Sequence, residues 1–211
     1  MEHLQIILAQ ILVLLFSIIF HEVAHGYTAL RLGDPTAYYA GRLTMDPRPH
    51  IDPMMSIFLP VMTFLTMGFV FGGARPVPIN PRNFRYYKRD MALTAAAGPL
   101  SNLLLAVAGG LLLRLSWLLP FPGFLVLVLH MTVIINLLLA FFNLLPIPPL
   151  DGSRVVAYFL PPHLEAGWRN LDRYGILIIL GLFWLGGGLF SGLLFGLIRM
   201  AGWLITGQRI I

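Results

Sequence analysis

The sequence has no cysteine and few charges, and each shortage excludes a class of protein. Without cysteine the chain has no disulfides and no thiolate metal sites. Charged residues make up 11% of its 211 residues, less than half the usual share of a soluble domain, whereas 58% are hydrophobic. No polar stretch is long enough to fold as a separate soluble module, so any regulatory domain would have to come from another chain. We therefore predict a single integral membrane domain over residues 1–211.

Five apolar segments recur along the chain and predict its architecture. They cover residues 4–32, 54–71, 91–119, 124–145 and 176–205, and such runs can cross the roughly 30 Å hydrocarbon layer as helices. The last segment is interrupted by Gly186, Gly187 and Gly188, so it forms either one helix or one span followed by an interfacial helix. The predicted fold class is an all-α polytopic membrane protein with four to six spans.

Two short segments near the first helix have a different pattern. Aromatic and β-branched residues around Gly41 predict a short hairpin in residues 37–46. Residues 74–80, ARPVPIN, are too rich in proline for a helix and predict an extended chain. Residues 54–71 either cross the membrane or dip into it and return. We therefore expect a short membrane-associated β-hairpin or a re-entrant segment after the first helix.

The formal net charge of +5 indicates membrane orientation and not nucleic-acid binding, because the basic residues lie beside hydrophobic segments. Residues 73–90 hold four arginines and one lysine against a single aspartate, so the positive-inside rule places this loop in the cytoplasm. The segment 91–119 then runs outward, and the segment 124–145 returns toward the cytoplasm. We predict a multi-pass protein of the cell membrane.

The first apolar segment contains His21-Glu22-Val23-Ala24-His25, an HExxH motif. Helical geometry places residues i and i+4 on one face, so both imidazoles can bind one metal ion. Glu22 lies about 100° round the helix from His21, within reach of a metal-bound water as general base. Chance could produce this five-residue pattern. However, ionisable residues inside a membrane helix cost roughly 2.5–3.5 kcal/mol each, and a metal ion compensates for three of them in one turn.

Catalytic zinc takes three protein ligands, and Asp151 is the candidate for the third. It follows the fourth apolar segment in the string NLLPIPPLDGSR, whose prolines keep the chain extended. The alternative role for Asp151 is to cap a helix that begins at Gly152. Asn143, eight residues earlier, could bind a substrate carbonyl or its oxyanion, and an interhelical hydrogen bond explains it equally well.

Three motifs together resemble the site-2 protease family of intramembrane zinc metalloproteases: HEVAH, GPLSN at residues 98–102 and NLLPIPPLDG at residues 143–152. The resemblance covers residues 5–160, and PHIDP at 49–53 and PVPIN at 76–80 place it near the compact branch. It implies one zinc ion held by His21, His25 and Asp151, with Glu22 as the base. Many relatives add a PDZ or nucleotide-sensing domain, and this sequence contains neither. We assign Gly98 and Asn102 to close helix packing.

The predicted function is regulated intramembrane proteolysis of transmembrane protein substrates in a lipid environment. For His21 and Asp151 to bind one metal ion, the segments 4–32 and 124–145 must point the same way, which places the active site toward the cytoplasmic side. A transmembrane helix hides its carbonyls in internal hydrogen bonds, so the substrate must unwind before cleavage. The segments around Gly41 and Val77 could bind the unwound chain by strand addition. The alternatives are a metal transporter, which would not need Glu22, and a non-catalytic membrane scaffold. The substrate, a separate regulatory chain and the oligomeric state stay open.

Overall fold

Long helices dominate the structure, a computed structural model that describes residues 2–58, 62 and 74–210. We number its α-helices in chain order: α1 Glu2–Arg31, α2 Thr36–Tyr39, α3 Tyr87–Leu115, α4 Gly123–Asn143, α5 Asp151–Phe159, α6 Pro162–Asn170, α7 Gly175–Leu185 and α8 Gly187–Thr206. Short 3₁₀ helices lie at Arg48–His50, Pro81–Asn83 and Leu171–Tyr174, and a π-helical turn lies at Pro53–Phe58.

Four of these helices are long and apolar enough to cross a membrane. They are α1, α3, α4 and α8, with mean hydropathies of 2.4, 1.7, 2.6 and 1.6 in their most apolar windows. The predicted segments 4–32, 91–119 and 124–145 match α1, α3 and α4 to within a few residues. The all-α polytopic fold is therefore confirmed, with four candidate spans among the described residues.

The predicted hairpin around Gly41 is wrong. Residues Thr36–Tyr39 form a helical turn, and the described part of the chain contains no β-strand. The Asp34 carboxylate accepts hydrogen bonds from the Thr36 backbone N–H and hydroxyl, which starts a turn that outweighs the β preference of the aromatic residues. Gly41 ends this turn in the left-handed region, at φ +65°. Most of residues 54–71 lies outside the described residues. The prediction that this segment either crosses the membrane or re-enters it therefore also falls outside them.

The last apolar segment is divided at Gly186, as its glycines indicate. Helix α7 has 11 residues and is about 16 Å long, too short to cross the bilayer. The candidate span is α8, which follows it. The segment therefore consists of two helices, and the short one precedes the span instead of following it.

Helix α3 lies at the centre of the bundle and packs against α1, α4, α5 and α8. The apolar core lies between α3, α4 and α8 and is formed by Ala106, Leu113, Leu129, Val133, Leu137, Leu194 and Ile198. Side chains on α1 such as Leu4 and Ile11 are exposed, as expected for a helix that faces lipid. The opposite face of α1 contacts α3 and α4 through buried polar residues.

Helices α1 and α4 point the same way, as the predicted ligand set requires. Ser17 of α1 contacts Asn136 of α4, and further along both helices His21 meets Asp151, just beyond the end of α4. Helix α3 runs antiparallel to α1, because its Thr94 contacts His25 while its later Asn102 contacts His21. Residues distant in sequence are thereby brought to one depth of the bundle.

Candidate metal centre

Three metal-binding side chains converge between α1 and the start of α5. The Nε2 atoms of His21 and His25 are 2.9 Å apart, and the Asp151 Oδ2 atom lies 3.1 Å and 3.3 Å from them. His21 and His25 are 8% and 7% exposed, and Asp151 is partly buried. The structure thus brings together the three residues that the sequence nominated as ligands.

The hydrogen bonds on the far side of each imidazole determine which nitrogens face the cluster. His21 Nδ1 lies 2.6 Å from the Asn102 Oδ1 atom, and His25 Nδ1 lies 2.7 Å from the Thr94 carbonyl oxygen. Both oxygens only accept hydrogen bonds, so both Nδ1 atoms carry the hydrogen. In the neutral imidazoles the two Nε2 lone pairs therefore face each other and a carboxylate oxygen. Three acceptors this close repel one another unless a cation lies among them, and two imidazoles with a carboxylate suit zinc.

Gly98 of α3 leaves the space that such a cation needs. A Cβ atom at this position would overlap the Nε2 atoms of both His21 and His25. The backbone of α3 therefore approaches the two imidazoles as closely as the absence of a side chain allows. The assignment of Gly98 to close packing holds, and the groups against which it packs are the candidate ligands.

Asp151 is the first residue of α5, and Leu150 occupies the cap position without a side-chain cap hydrogen bond. The alternative role of Asp151 as a helix cap is therefore wrong. A Cβ atom at Gly152 would overlap the carbonyl oxygens of Leu144 and Leu145, so this glycine lets α5 begin directly beneath the end of α4.

Glu22 faces the extended segment 74–80. Its Oε2 atom accepts a hydrogen bond of 2.7 Å from the Val77 backbone N–H, and it has a Coulombic interaction with His25. The segment contains no helix or strand, as its prolines predict. Arg42, 6% exposed, donates to the Arg75 carbonyl at 2.5 Å and so holds the segment from below. The side chain of the HExxH glutamate therefore reaches from α1 to this extended segment, which holds its carboxylate in place.

Asp34 holds the far end of the same segment. Its fully buried carboxylate accepts hydrogen bonds of 2.7 Å from the Asn80 backbone N–H and from the Asn83 amide. Burial opposes ionisation, but these bonds and those from Thr36 lower the pKa of Asp34. Asp34 and Arg42 were not among the predicted functional residues, because contacts with residues 75–83 cannot be read from their own local sequence.

The remaining predicted residues do not meet the cluster. Asn143 donates to the Leu139 carbonyl of its own helix at 3.0 Å, so the interhelical bond considered for it is not formed within the described residues. Gly41 lies in an exposed turn with nothing within 4 Å of its Cβ position. The Val77 backbone N–H donates to Glu22, and no hydrogen bond from Val77 to the three candidate ligands is found among the described residues.

The sequence analysis missed the roles of Thr94 and Asn102 beside the two histidines. These residues and Gly98 are spaced four apart on α3, and this row faces the HExxH turn of α1. The contact of Asn102 with His21 could have been suspected from the sequence, because a polar residue inside a membrane helix needs a partner. Thr94 acts through its backbone carbonyl, for which the residue type gives no signal.

Four candidate spans around a buried His-His-Asp cluster define the class, a polytopic membrane protein with an HExxH-type metal centre. The sequence profile described as peptidase family M50 matches residues 119–182, which include α4 and Asp151. The chain is 39% identical over 179 residues to a protein of Bacillus subtilis named "Putative zinc metalloprotease YwhC", covering 82% of this chain and 78% of the relative.

Two mycobacterial proteins named "Putative zinc metalloprotease Rip2" are also similar. The Mycobacterium tuberculosis protein is 32% identical over 192 residues, 89% of this chain and 72% of the relative. The Mycolicibacterium smegmatis protein is 31% identical over 177 residues, 80% and 63% respectively. No solved structure matches the chain. The chain belongs to peptidase family M50, the site-2 protease family that its motifs resemble, and the prediction of a metalloprotease is confirmed at the level of the family.

Proposed function

We propose that this chain is a zinc-dependent intramembrane peptidase that hydrolyses peptide bonds in or near the transmembrane segments of membrane proteins. The observation that carries the proposal is the convergence of the ligand atoms of His21, His25 and Asp151 inside a bundle of candidate spans. In this proposal the three side chains hold one zinc ion. When bound there, zinc supplies Lewis-acid polarisation of the scissile carbonyl and lowers the pKa of water toward about 7.

Glu22 is the proposed general base. The Val77 N–H engages Oε2, which fixes the carboxylate and leaves Oε1 as the proton acceptor for the attacking water. The buried Arg42 side chain interacts electrostatically with Glu22 from the same side as the extended segment. The extended segment 74–80 thus has a definite task in the proposal, which is to position the base.

Asn143 remains a proposed substrate contact. Its amide gives one N–H to the Leu139 carbonyl, and the second N–H is available to a substrate carbonyl or its oxyanion. Gly41 and Val77 also remain predictions as substrate-binding residues. However, the hairpin behind the Gly41 prediction is absent, and the Val77 N–H would have to exchange Glu22 for the substrate.

Purified protein should contain about one zinc ion per chain and should cleave a membrane-protein substrate in detergent. Removal of the metal with a chelator should abolish cleavage, and added zinc should restore it, because the proposed chemistry needs the ion. Metal analysis and a gel-based cleavage assay measure both. Zinc uptake into vesicles without cleavage would support the transporter, and zinc binding with neither activity would support the scaffold.

The proposed orientation places the cluster toward the cytoplasm, with the N-terminus outside. The chain has no cysteine, so single cysteines can be introduced without removing any. Cysteines at positions 2 and 121 should react with an impermeant reagent from outside, and those at 85 and 167 from the cytoplasm. Labelling of positions 2 and 85 from the same side would contradict this topology.

A further inference from the structure

A chain of hydrogen bonds runs from α4 through α3 to His21. Asn136 on α4 donates from Nδ2 to the Thr132 carbonyl at 2.9 Å and to the Ser17 hydroxyl at 2.8 Å. Asn102 on α3 donates from Nδ2 to the Asn136 Oδ1 atom at 2.8 Å, and its own Oδ1 atom lies 2.6 Å from His21 Nδ1. Ser17, Asn102 and Asn136 are all fully buried, so water does not compete for these groups.

The Thr132 carbonyl determines the direction of every bond in this chain. A carbonyl oxygen only accepts, so the end of the Asn136 amide that contacts it must be the NH₂ group. The Asn136 oxygen therefore faces Asn102 and requires the Asn102 NH₂ group at that contact. The Asn102 oxygen is then left to face His21, whose Nδ1 atom must carry the hydrogen.

The consequence for His21 is a fixed tautomer. With the hydrogen on Nδ1, Nε2 keeps the lone pair that a metal ligand requires. If the Asn136 acceptor were removed, the Asn102 NH₂ group would keep the long 3.4 Å contact with the Ser17 carbonyl oxygen. The amide could then turn by 180° and present its NH₂ group to His21. Nδ1 would then accept, and the hydrogen would move to Nε2, the atom that faces His25 and Asp151.

The two histidines differ in this respect. His25 Nδ1 bonds directly to the Thr94 carbonyl, which cannot reverse its polarity. His21 depends on an amide that is reversible in itself. The NH₂ group of this amide donates to the Asn136 Oδ1 atom at 2.8 Å and, at the longer distance of 3.4 Å, to the Ser17 carbonyl oxygen. We propose that Asn136 is a positioning residue of the metal centre, which fixes the His21 tautomer through Asn102 without touching the metal. This inference rests on the proposed zinc site.

The substitution Asn136→Leu tests the proposal, because leucine preserves the size of the side chain and removes the acceptor. We expect the apparent zinc affinity, measured by competition with a chromophoric chelator, to fall about 10–100-fold. Asn136→Ala, which removes the same acceptor with less bulk, replaces it if the leucine variant does not fold. The matched control is Thr206→Val in α8, because this buried hydroxyl contacts the Gly202 and Gln208 carbonyl oxygens and lies outside the chain of hydrogen bonds to His21. The control should bind zinc like the wild type.

The double variant separates this role from general damage to packing. In an Asn102→Asp background both ends of the side chain can accept from His21, so the orientation no longer depends on Asn136. Adding Asn136→Leu to Asn102→Asp should then lower the zinc affinity by less than about threefold. A purely structural role would carry the full loss into this background, since packing damage at one site does not depend on the polarity of the other.

Each outcome bears on one proposal. If the wild type binds no zinc, the proposed function is wrong, and the positioning role of Asn136 is wrong with it. If the wild type binds zinc and both Asn136→Leu and Asn136→Ala bind it equally tightly, the positioning role of Asn136 is wrong and the zinc site stands. A loss that persists undiminished in the Asn102→Asp background also overturns the positioning role.

Discussion

Glu22→Gln should retain zinc and lose peptide hydrolysis. Glutamine preserves the size of the side chain, and its carbonyl oxygen can still accept the Val77 N–H that holds Glu22 in place. It cannot take a proton from water, however, and loss of a general base lowers rates by about 10²–10⁴-fold. Cleavage of a detergent-solubilised substrate and zinc content, measured on the same preparation, give both results.

The matched control is Glu165→Gln. Glu165 on α6 pairs with Lys88 at 2.9 Å, so the same change of charge is made at a carboxylate that is not part of the cluster. Its cleavage rate should stay near that of the wild type. Turnover of Glu22→Gln at a near wild-type rate would remove Glu22 from the mechanism. Loss of zinc from Glu22→Gln would show that Glu22 supports the metal site and would leave its role as base unproven.

The ligand cluster could be predicted from the sequence because each of its parts has a local signal. The spacing of His21 and His25 follows from the helical repeat, and Asp151 is marked by the prolines before it and by Gly152 after it. The common direction of α1 and α4 followed from requiring these ligands to meet. The structure brings the three side chains together without any adjustment of that argument.

The surroundings of the cluster could not be predicted in the same way. Three of the groups around the cluster belong to the backbone: the Val77 N–H, the Thr94 carbonyl and the Thr132 carbonyl. The residue types in the sequence do not show which backbone group lies beside a given side chain. The hairpin around Gly41 failed for a related reason. The local β preference of residues 37–46 does not include the effect of the Asp34 carboxylate. Its hydrogen bonds to Thr36 and to Asn80 determine the conformation of the turn at 36–39 and of the extended segment 74–80.

Helix α3 was assigned only a packing role because its local sequence does not show which groups lie opposite it. Small and polar residues on a membrane helix indicate close contact with a neighbour, and the sequence does not say what that neighbour presents. In the structure, the neighbour of Gly98 is the pair of imidazoles. The contact by which Gly98 packs is therefore also a contact with the candidate ligands. A substitution that is minor for helix packing becomes severe for metal binding at this position.

Gly98→Ala should consequently abolish zinc binding and cleavage together. The added methyl group would lie between the Nε2 atoms of His21 and His25, where the metal must bind. The imidazoles cannot move aside without breaking the Nδ1 bonds to Asn102 and to the Thr94 carbonyl. We expect zinc content below about one tenth of the wild-type value, since a site that loses its ligand geometry holds zinc poorly.

The helix itself should not suffer from this substitution, which makes the result specific. Alanine is favoured over glycine inside a helix by about 1 kcal/mol, so α3 gains intrinsic stability while the site loses its space. Gly196→Ala in α8 is the matched control, because its Cβ atom would meet nothing within 4 Å. That variant should keep zinc and activity. Full zinc occupancy in Gly98→Ala would mean that the metal does not lie between His21 and His25, and the ligand set drawn from the cluster would then have to be abandoned.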